Sequence, residues 1–343
     1  MSTEPQNARV AIKVDCDTYE GTRRGIPNLL RLFADLGMRA SFFFTLGPDR
    51  SGRAAARLFT RKGFLGKMLR SNPLALYGPR TMLYGTLLPA PRIGARLAPV
   101  IRSVASAGHE VGVHGWDHVR WHDRLDRMSE EEIERDYGGA HQVFAEIFAR
   151  PARSSAAPGW HATAASLAVQ ERQHLLYASD TRGGAPFFPE AGGRRFQTLE
   201  IPTTLPTWDE MLGTRDCRDD EALLAYYRRA LRAAGGGPAG SAIHAADRRD
   251  HSGGVDVHAV HTDVHSIHTE VEGTARLDLF RRQLEAWSAD GVRFVTLDEI
   301  AREALAEPTG VPRRRLVRAA IPHRAGLVTT SAPAAEPPHQ PGL

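Results

Sequence analysis

Two short motifs hold residues suited to binding a metal ion. The segment VDCDT places Asp15 and Asp17 at the end of an apolar run, and HGWDH places His114 and His118 four residues apart. That spacing lets two imidazoles face one ion from a helical turn. An isolated DxD motif is more often a surface turn. Together with the histidines, however, it favours metal-assisted hydrolysis, because two imidazoles and one carboxylate leave coordination positions open for water and substrate.

Further polar residues follow other apolar runs. The segment SSAAPGWHA contains a turn at Gly159 that exposes the backbone N–H groups of Trp160 and His161. Such donors suit a developing oxyanion, and a purely structural turn explains the motif equally well. Asp180 and His268 each follow a strand-like run. Beside a metal site, a catalytic pair is favoured over two satisfied core groups.

Composition indicates a globular protein without a disulfide framework. Of 343 residues, 42% are hydrophobic and 24% are charged, the net charge is +4, and there are two cysteines. The first residues, MSTEPQNARV, contain no apolar segment of the kind found in secretory signals. We therefore expect a cytoplasmic protein with reduced thiols.

Strand-like and helical patterns alternate along the chain. Strands are predicted at 10–14, 40–45, 110–113, 153–156, 175–179 and 292–296, with another leading to His268, and helices at 26–36, 129–149, 162–173, 219–234 and 277–290. This order predicts parallel strands in an α/β barrel. The polar residues described above follow strand ends, where barrel active sites lie.

We expect one catalytic domain over residues 1–307, interrupted twice. Residues 47–102 are long and basic and predict a lid or membrane-facing insertion after the second strand. Residues 235–265 are rich in Gly, Ala, Asp and His and predict a flexible loop whose histidines are adventitious ligands. Residues 308–343 are rich in Pro, Ala and Arg and predict a disordered tail.

A membrane contact is predicted within the first insertion, where positive charges alternate with apolar side chains. The candidate residues are Arg61, Lys62, Phe64, Leu65 and Lys67. This pattern suits an anionic membrane surface at least as well as nucleic acid. A solvated helix with its apolar face on the protein core explains it equally well.

These motifs, in this order, resemble the polysaccharide deacetylase family, whose fold is a distorted (β/α) barrel and whose members remove acyl groups from amino sugars. The segments VDCDTYEGTRRGIPNLL, KMLRSNPLALYG, HEVGVHGWDH, AAPGW, SDTRGGAPF, IPTTLPTWDE and IHTEVEG are similar to the family's bacterial deformylases of 4-deoxy-4-formamido-L-arabinose-phosphoundecaprenol. The likeness is specific because TLPTWDE and HTEVEG are not general features of the wider family.

The resemblance implies a role for each matching residue. Asp15 would be the base, His268 the general acid and Asp180 the carboxylate of the fourth family motif, with Asp17, His114 and His118 as metal ligands. The cofactor implied is one divalent ion: zinc, cobalt, nickel, manganese or iron. Many relatives steady the base with an arginine where this chain has Ala156, and deformylases usually have arginine at His161. The sequence does not explain how Asp15 is oriented.

The resemblance also implies a substrate and a place of action. The enzyme would remove formyl from the undecaprenyl-phosphate-linked sugar at the cytoplasmic face of the inner membrane, without nucleic acid. The amino sugar would then modify lipid A and confer resistance to polymyxin and cationic antimicrobial peptides. A cramped pocket of Trp116, Trp160 and Trp208 would select formyl over acetyl, unless these are core aromatics.

Two other classes of function stay open. The chain could be another amidohydrolase, acting on acetamido sugars or a cytoplasmic ureide, and release of acetate instead of formate would separate these. It could also be a non-catalytic metal-holding domain on a membrane surface. Such a domain needs no acid or base, so the presence of Asp15 and His268 favours an enzyme.

Overall fold

Strands and helices alternate along most of the chain in the computed structural model, which describes residues 8–58, 78–234 and 262–333. The strands are β1 (Arg9–Cys16), β2 (Ser41–Thr45), β3 (Glu110–Gly115), β4 (Ser154–Ser155), β5 (Tyr177–Ala178), β6 (Phe188–Ala191), β7 (Arg194–Arg195), β8 (Leu199–Glu200), β9 (Thr262–His268), β10 (Arg293–Val295), β11 (Arg313–Ala319) and β12 (Val328–Pro333). The α-helices are α1 (Ile26–Asp35), α2 (Ser51–Leu58), α3 (Ile93–Ser106), α4 (His118–Arg124), α5 (Glu130–Phe148), α6 (Ala164–Glu171), α7 (Trp208–Met211), α8 (Asp220–Ala234), α9 (Leu277–Ala289) and α10 (Leu297–Ala306).

An eight-stranded parallel sheet forms the centre of the fold, in the order β10-β1-β2-β3-β4-β5-β8. Strands β10 and β2 pair with the first and second halves of one edge of β1, and β9 pairs with its opposite edge. Beyond β8, the backbone N–H groups of Thr204 and Leu205 each donate to the carbonyl of Val264 on β9 at 3.1 Å. These bonds bring the end of the sheet back to its beginning. The predicted fold class, a distorted (β/α) barrel, is confirmed.

The side chains of β1 alternate between two cores because a strand has a period of two residues. Ile12 packs in the outer core under the helices, whereas Ala11 packs with Phe43 inside the barrel. Lys13 and Asp15 share the parity of Ala11. Their side chains therefore enter the barrel, where both residues are buried.

A second sheet, in the order β12-β11-β6-β7, contains residues that we predicted to be a disordered tail. That prediction was wrong as far as residue 333. Strands β11 and β12 form an antiparallel hairpin, Val328 is fully buried, and the backbone N–H of Arg182 donates to the carbonyl of Thr329 at 2.9 Å. The tail is ordered because its backbone pairs with distant segments, which a composition argument cannot detect. Residues 334–343 lie outside the described part.

The predicted insertion at 47–102 is in part a component of the barrel domain. Helix α3 buries Ile93, Leu97 and Ile101 in the outer core, so this segment is not a separate lid. The predicted membrane-contact residues lie within 59–77, outside the described residues. Among the residues described, no helix is both long enough and apolar enough to cross a bilayer.

The predicted flexible loop at 235–265 ends earlier than we expected. Residues Thr262–His268 form β9 at the edge of β1, so the prediction was wrong for its last four residues. His265 is fully buried there, with its ring 4.9 Å from that of Tyr227 and 5.6 Å from that of Trp287. It is a core residue because this face of β9 packs against α8 and α9, the helices that contain Tyr227 and Trp287. Residues 235–261 are not among those described.

Candidate metal and catalytic site

Asp17, His114 and His118 meet at the carboxyl ends of β1 and β3. Nε2 of His114 lies 3.1 Å from Oδ1 of Asp17, and Nε2 of His118 lies 3.4 Å from Oδ2. One ligand atom from each residue lies within 4.8 Å of the other two. We call these three residues the ligand trio. Their spacing allows all three to bind a single ion.

Local chain geometry explains why the trio converges. Asp17 directly follows β1, and His114 is the next-to-last residue of β3, which is separated from β1 by β2, so both reach the same end of the parallel sheet. Asp117 then caps α4 by accepting a hydrogen bond from the backbone N–H of Arg120 at 3.0 Å. Because this cap starts the helix at His118, the second imidazole turns back towards the first.

The trio fits a divalent cation. Among the described residues, Oδ1 of Asp17 is buried without a hydrogen-bond partner, and Nε2 of His114 faces it, whereas Nδ1 of His114 faces Oδ1 of Asp15 at 3.8 Å. Burial opposes the charge on Asp17, but His118 and His114 hold its pKa well below the ordinary value. Burial also opposes charge on His114, yet Asp15 and Asp17 raise its pKa, so this position favours a cation. Burial lowers the pKa of His118 to about 4, which leaves it neutral and able to bind a metal.

Asp15 is held by two residues that the sequence reasoning missed. Its Oδ2 accepts a hydrogen bond from Oγ of Ser266 at 2.7 Å and lies 3.8 Å from Nζ of Lys13. Lys13 is fully buried and donates to the carbonyl of Ser179 at 2.9 Å, which fixes its ammonium group. A lysine two residues before the aspartate, on the same face of a strand, was the available signal.

The two positions where relatives carry arginine do not orient Asp15. Ala156 packs in the core inside the barrel, and Nε2 of His161 pairs with Oδ1 of Asp126 at 2.8 Å, near the surface. The positive charge beside Asp15 therefore comes from Lys13 on its own strand.

His268 lies next to Asp15 in the sheet, since the two residues are partners in the β1–β9 register. Its backbone N–H donates to Glu272 at 2.9 Å, and its Nδ1 lies 3.7 Å from Oδ1 of Asp209. Burial disfavours the imidazolium, but Asp209 and then Asp17 raise the pKa of His268 to about 9. These carboxylates therefore favour the protonated form of His268, which is the form that a general acid requires.

Asp180 is already occupied by hydrogen bonds. Its Oδ1 accepts from the backbone N–H of Ala157 and its Oδ2 from Nε2 of Gln170, both at 2.7 Å. Its own backbone N–H donates to Glu200 at 2.7 Å. We call these four residues the Asp180 network. These bonds anchor the chain just before the Pro–Gly turn, and Asp180 lines a small cavity together with His114.

The Pro–Gly turn differs from the predicted oxyanion site. Gly159 has φ of +66°, and a Cβ there would lie 2.4 Å from Cδ2 of His122, so the turn requires glycine. The backbone N–H of Trp160, which we predicted to face an oxyanion, donates instead to the carbonyl of Ala157 at 3.3 Å. This amide already has a partner within the turn.

The three predicted pocket tryptophans occupy separate places. Trp208 is fully buried in the outer core and donates from Nε1 to Gln283 at 2.9 Å. Trp116 packs at the edge of that core, and Trp160 donates from Nε1 to Thr203 at 2.9 Å. The structure does not bring the three rings together in one pocket. As tryptophans, these residues were expected to pack against other apolar groups, but only the order of the strands in the fold shows which core each ring enters.

The sequence model described as polysaccharide deacetylase matches residues 4–178, just over half of the chain. The match includes the whole ligand trio and Asp15, whereas His268 lies beyond it. The chain belongs to the polysaccharide deacetylase family. Its parallel barrel is therefore that of a family of metal-dependent amide hydrolases, as the sequence predicted.

Two curated members of the family are similar to this chain. One, from Shewanella sediminis, is named a probable 4-deoxy-4-formamido-L-arabinose-phosphoundecaprenol deformylase, ArnD, and is 42% identical over 205 residues, covering 60% of this chain and 66% of its own. Another of the same name, from Wigglesworthia glossinidia brevipalpis, is 36% identical over 196 residues, covering 57% and 68%. The chain thus matches about two thirds of each relative.

Solved structures of polysaccharide deacetylases share the fold. One from Mycobacterium smegmatis has a TM-score of 0.56 with 17% identity and covers 94% of this chain and 97% of its own. One from Pseudomonas aeruginosa has a TM-score of 0.55 with 15% identity and covers 89% and 95%. At this identity the likeness concerns the fold alone.

Proposed function

We propose that this protein hydrolyses the formamide of 4-deoxy-4-formamido-L-arabinose-phosphoundecaprenol to formate and the 4-amino sugar lipid. The observation that carries the proposal is a metal-competent trio flanked on adjacent strands by Asp15 and His268. The family indicates an amide bond, and the names of the two curated relatives indicate the formyl group and the lipid-linked sugar.

The chain's own residues provide the proton transfers. Asp15 accepts the proton of the attacking water through Oδ1, which has no hydrogen-bond partner among the described residues and lies 3.8 Å from Nδ1 of His114, while Ser266 and Lys13 hold Oδ2. When bound by the trio, a divalent ion supplies Lewis acidity to the amide carbonyl and the water. As the C–N bond breaks, protonated His268 gives its proton to the leaving amine. In the net reaction, water adds to the formyl carbon and the C–N bond breaks, which gives formate and the free amine.

The proposed substrate places the enzyme at a membrane surface. An undecaprenyl chain stays in the bilayer, so the phosphate and sugar are the parts of the substrate that reach the aqueous phase. We propose that the chain works at the cytoplasmic face of the inner membrane. Its product would modify lipid A and confer resistance to polymyxin and cationic antimicrobial peptides.

The decisive experiment is an assay for formate. The purified protein is loaded in turn with zinc, cobalt, nickel, manganese or iron, incubated with the formamido-arabinose lipid, and formate is measured with formate dehydrogenase. We expect metal-dependent release, and we expect Asp15→Asn to keep its metal and release none. Acetate from an acetamido sugar would indicate another deacetylase, and turnover of a ureide a different amidohydrolase. Bound metal with no turnover of any amide would contradict the proposal and favour a binding domain.

A further inference from the structure

Two arginine side chains lie over the ring of Trp160. The guanidinium carbon of Arg324 is 4.6 Å from the ring centroid and that of Arg182 is 4.7 Å away. Both arginines also contact the same carboxylate, Glu210. Arg182 belongs to the barrel domain, whereas Arg324 comes from the loop between β11 and β12. The predicted disordered tail thus contributes a charged residue next to the Pro–Gly turn.

One carboxylate does not balance these two cations equally. Nη1 of Arg182 lies 2.9 Å and 3.0 Å from the two oxygens of Glu210, and the backbone N–H of Thr207 donates to Oε2 at 3.1 Å. Nη1 of Arg324 lies 3.3 Å from Oε1, the longest of these contacts. Arg182 is therefore the main partner of Glu210, and one positive charge at this position is in excess.

The excess charge can be reached from solvent. The side chain of Arg324 is 16% exposed, whereas that of Arg182 is fully buried. An arginine stacked on an aromatic ring with its edge open to solvent is well arranged to bind a phosphate, because its N–H donors are already oriented.

Trp160 and Glu210, the two residues that Arg324 contacts, each connect it to a catalytic residue through one further side chain. The Trp160 ring centroid lies 5.8 Å from Nζ of Lys13, which contacts Asp15. Glu210 directly follows Asp209, whose carboxylate faces His268. Arg324 is thus linked to the catalytic base through Trp160 and Lys13, and to the acid through Glu210 and Asp209.

We propose that Arg324 binds the phosphodiester that joins sugar and lipid in the substrate, with Trp160 as the platform under its guanidinium. The identity of this ligand rests on the proposed function.

Binding is tested with neryl phosphate, a ten-carbon isoprenyl phosphate, and with nerol, the matching alcohol, by calorimetry on the metal-loaded full chain. The wild type should bind neryl phosphate more tightly. Arg324→Gln should weaken neryl phosphate binding about tenfold and leave nerol unchanged, since a hydrogen bond to a charged group is lost. Arg324→Lys should be intermediate, because it keeps the charge without the planar group. Arg315→Gln, which removes an exposed arginine from the same hairpin, is the matched control.

A kinetic measurement complements the binding data. With a neryl-phosphate ester of the formamido sugar, Arg324→Gln should raise KM about tenfold and change kcat less than twofold. With the methyl glycoside, which lacks phosphate, both constants should stay at the wild-type values. Equal binding of neryl phosphate by wild type and by both Arg324 variants would overturn the inference. Arg324-dependent binding without formate release would support this subsite and reject only the proposed reaction.

Discussion

Two buried parts of the barrel differ in whether their polar atoms have hydrogen-bond partners. In the ligand trio, Oδ1 of Asp17 has no hydrogen-bond partner within the described part of the chain. In the Asp180 network, both oxygens of Asp180 accept hydrogen bonds. A buried polar group without a partner is costly, so the trio is built to receive a ligand and the network to hold the backbone.

Asp15 combines both conditions in one carboxylate. Its Oδ2 is held by Ser266 and Lys13, whereas its Oδ1 is buried without a hydrogen-bond partner among the described residues. A general base needs this combination, because it must be oriented and must still accept a proton from water. The comparison therefore predicts different consequences for substitutions in the three places.

The largest effect is expected in the trio. Asp17→Asn removes the only carboxylate of the trio, so bound metal should be lost. Formate release should fall by more than about 100-fold, because substitution of a residue that only supports a metal ligand already costs up to about that much. Metal analysis by mass spectrometry and the formate assay measure the two quantities. Asp180→Asn is the control and should retain metal. Full metal content in Asp17→Asn would show that the trio is not the metal site.

Lys13 should matter for turnover and for stability. Lys13→Met leaves the carboxylate of Asp15 buried beside an apolar side chain, so we expect kcat to fall about 10- to 100-fold with the metal retained. Because a buried ion pair is broken, urea unfolding should show a free energy of unfolding lower by about 3 kcal/mol. Lys13→Arg should recover much of kcat. If Lys13→Met raised KM alone, the lysine would serve substrate binding and not the base.

The sequence predicted the site better than its support. Paired aspartates and the HxxxH spacing predicted where the trio lies, because these side chains are fixed by their own strand ends. Lys13 was missed because the sequence does not show which groups surround a lysine in an apolar run. In the folded barrel, β9 and the chain beyond β5 supply those groups. Arg324 was missed because composition alone described its segment as a tail.

Asp180 should affect stability more than metal binding. Asp180→Ala removes the acceptor of the hydrogen bonds from Ala157 and Gln170, leaving two buried donors unsatisfied. We expect the free energy of unfolding to fall by about 2 kcal/mol, with unchanged metal stoichiometry. Urea denaturation and metal analysis of the same preparation measure both. Loss of metal without loss of stability would place Asp180 among the ligands and remove the contrast between the two regions.

The smallest effect, a change in pH dependence, tests His268. Burial lowers the pKa of His268, but nearby carboxylates raise it to about 9, and Asp209 makes the largest of these contributions. A general acid works only when protonated, so kcat should decline as the pH rises through this pKa. Asp209→Asn removes a charge that stabilises the imidazolium and should move the decline to lower pH. Profiles of kcat from pH 6 to 10 measure the shift, with Asp35→Asn as a remote control. A decline that stays in place, or moves to higher pH, would mean that His268 is not the acid.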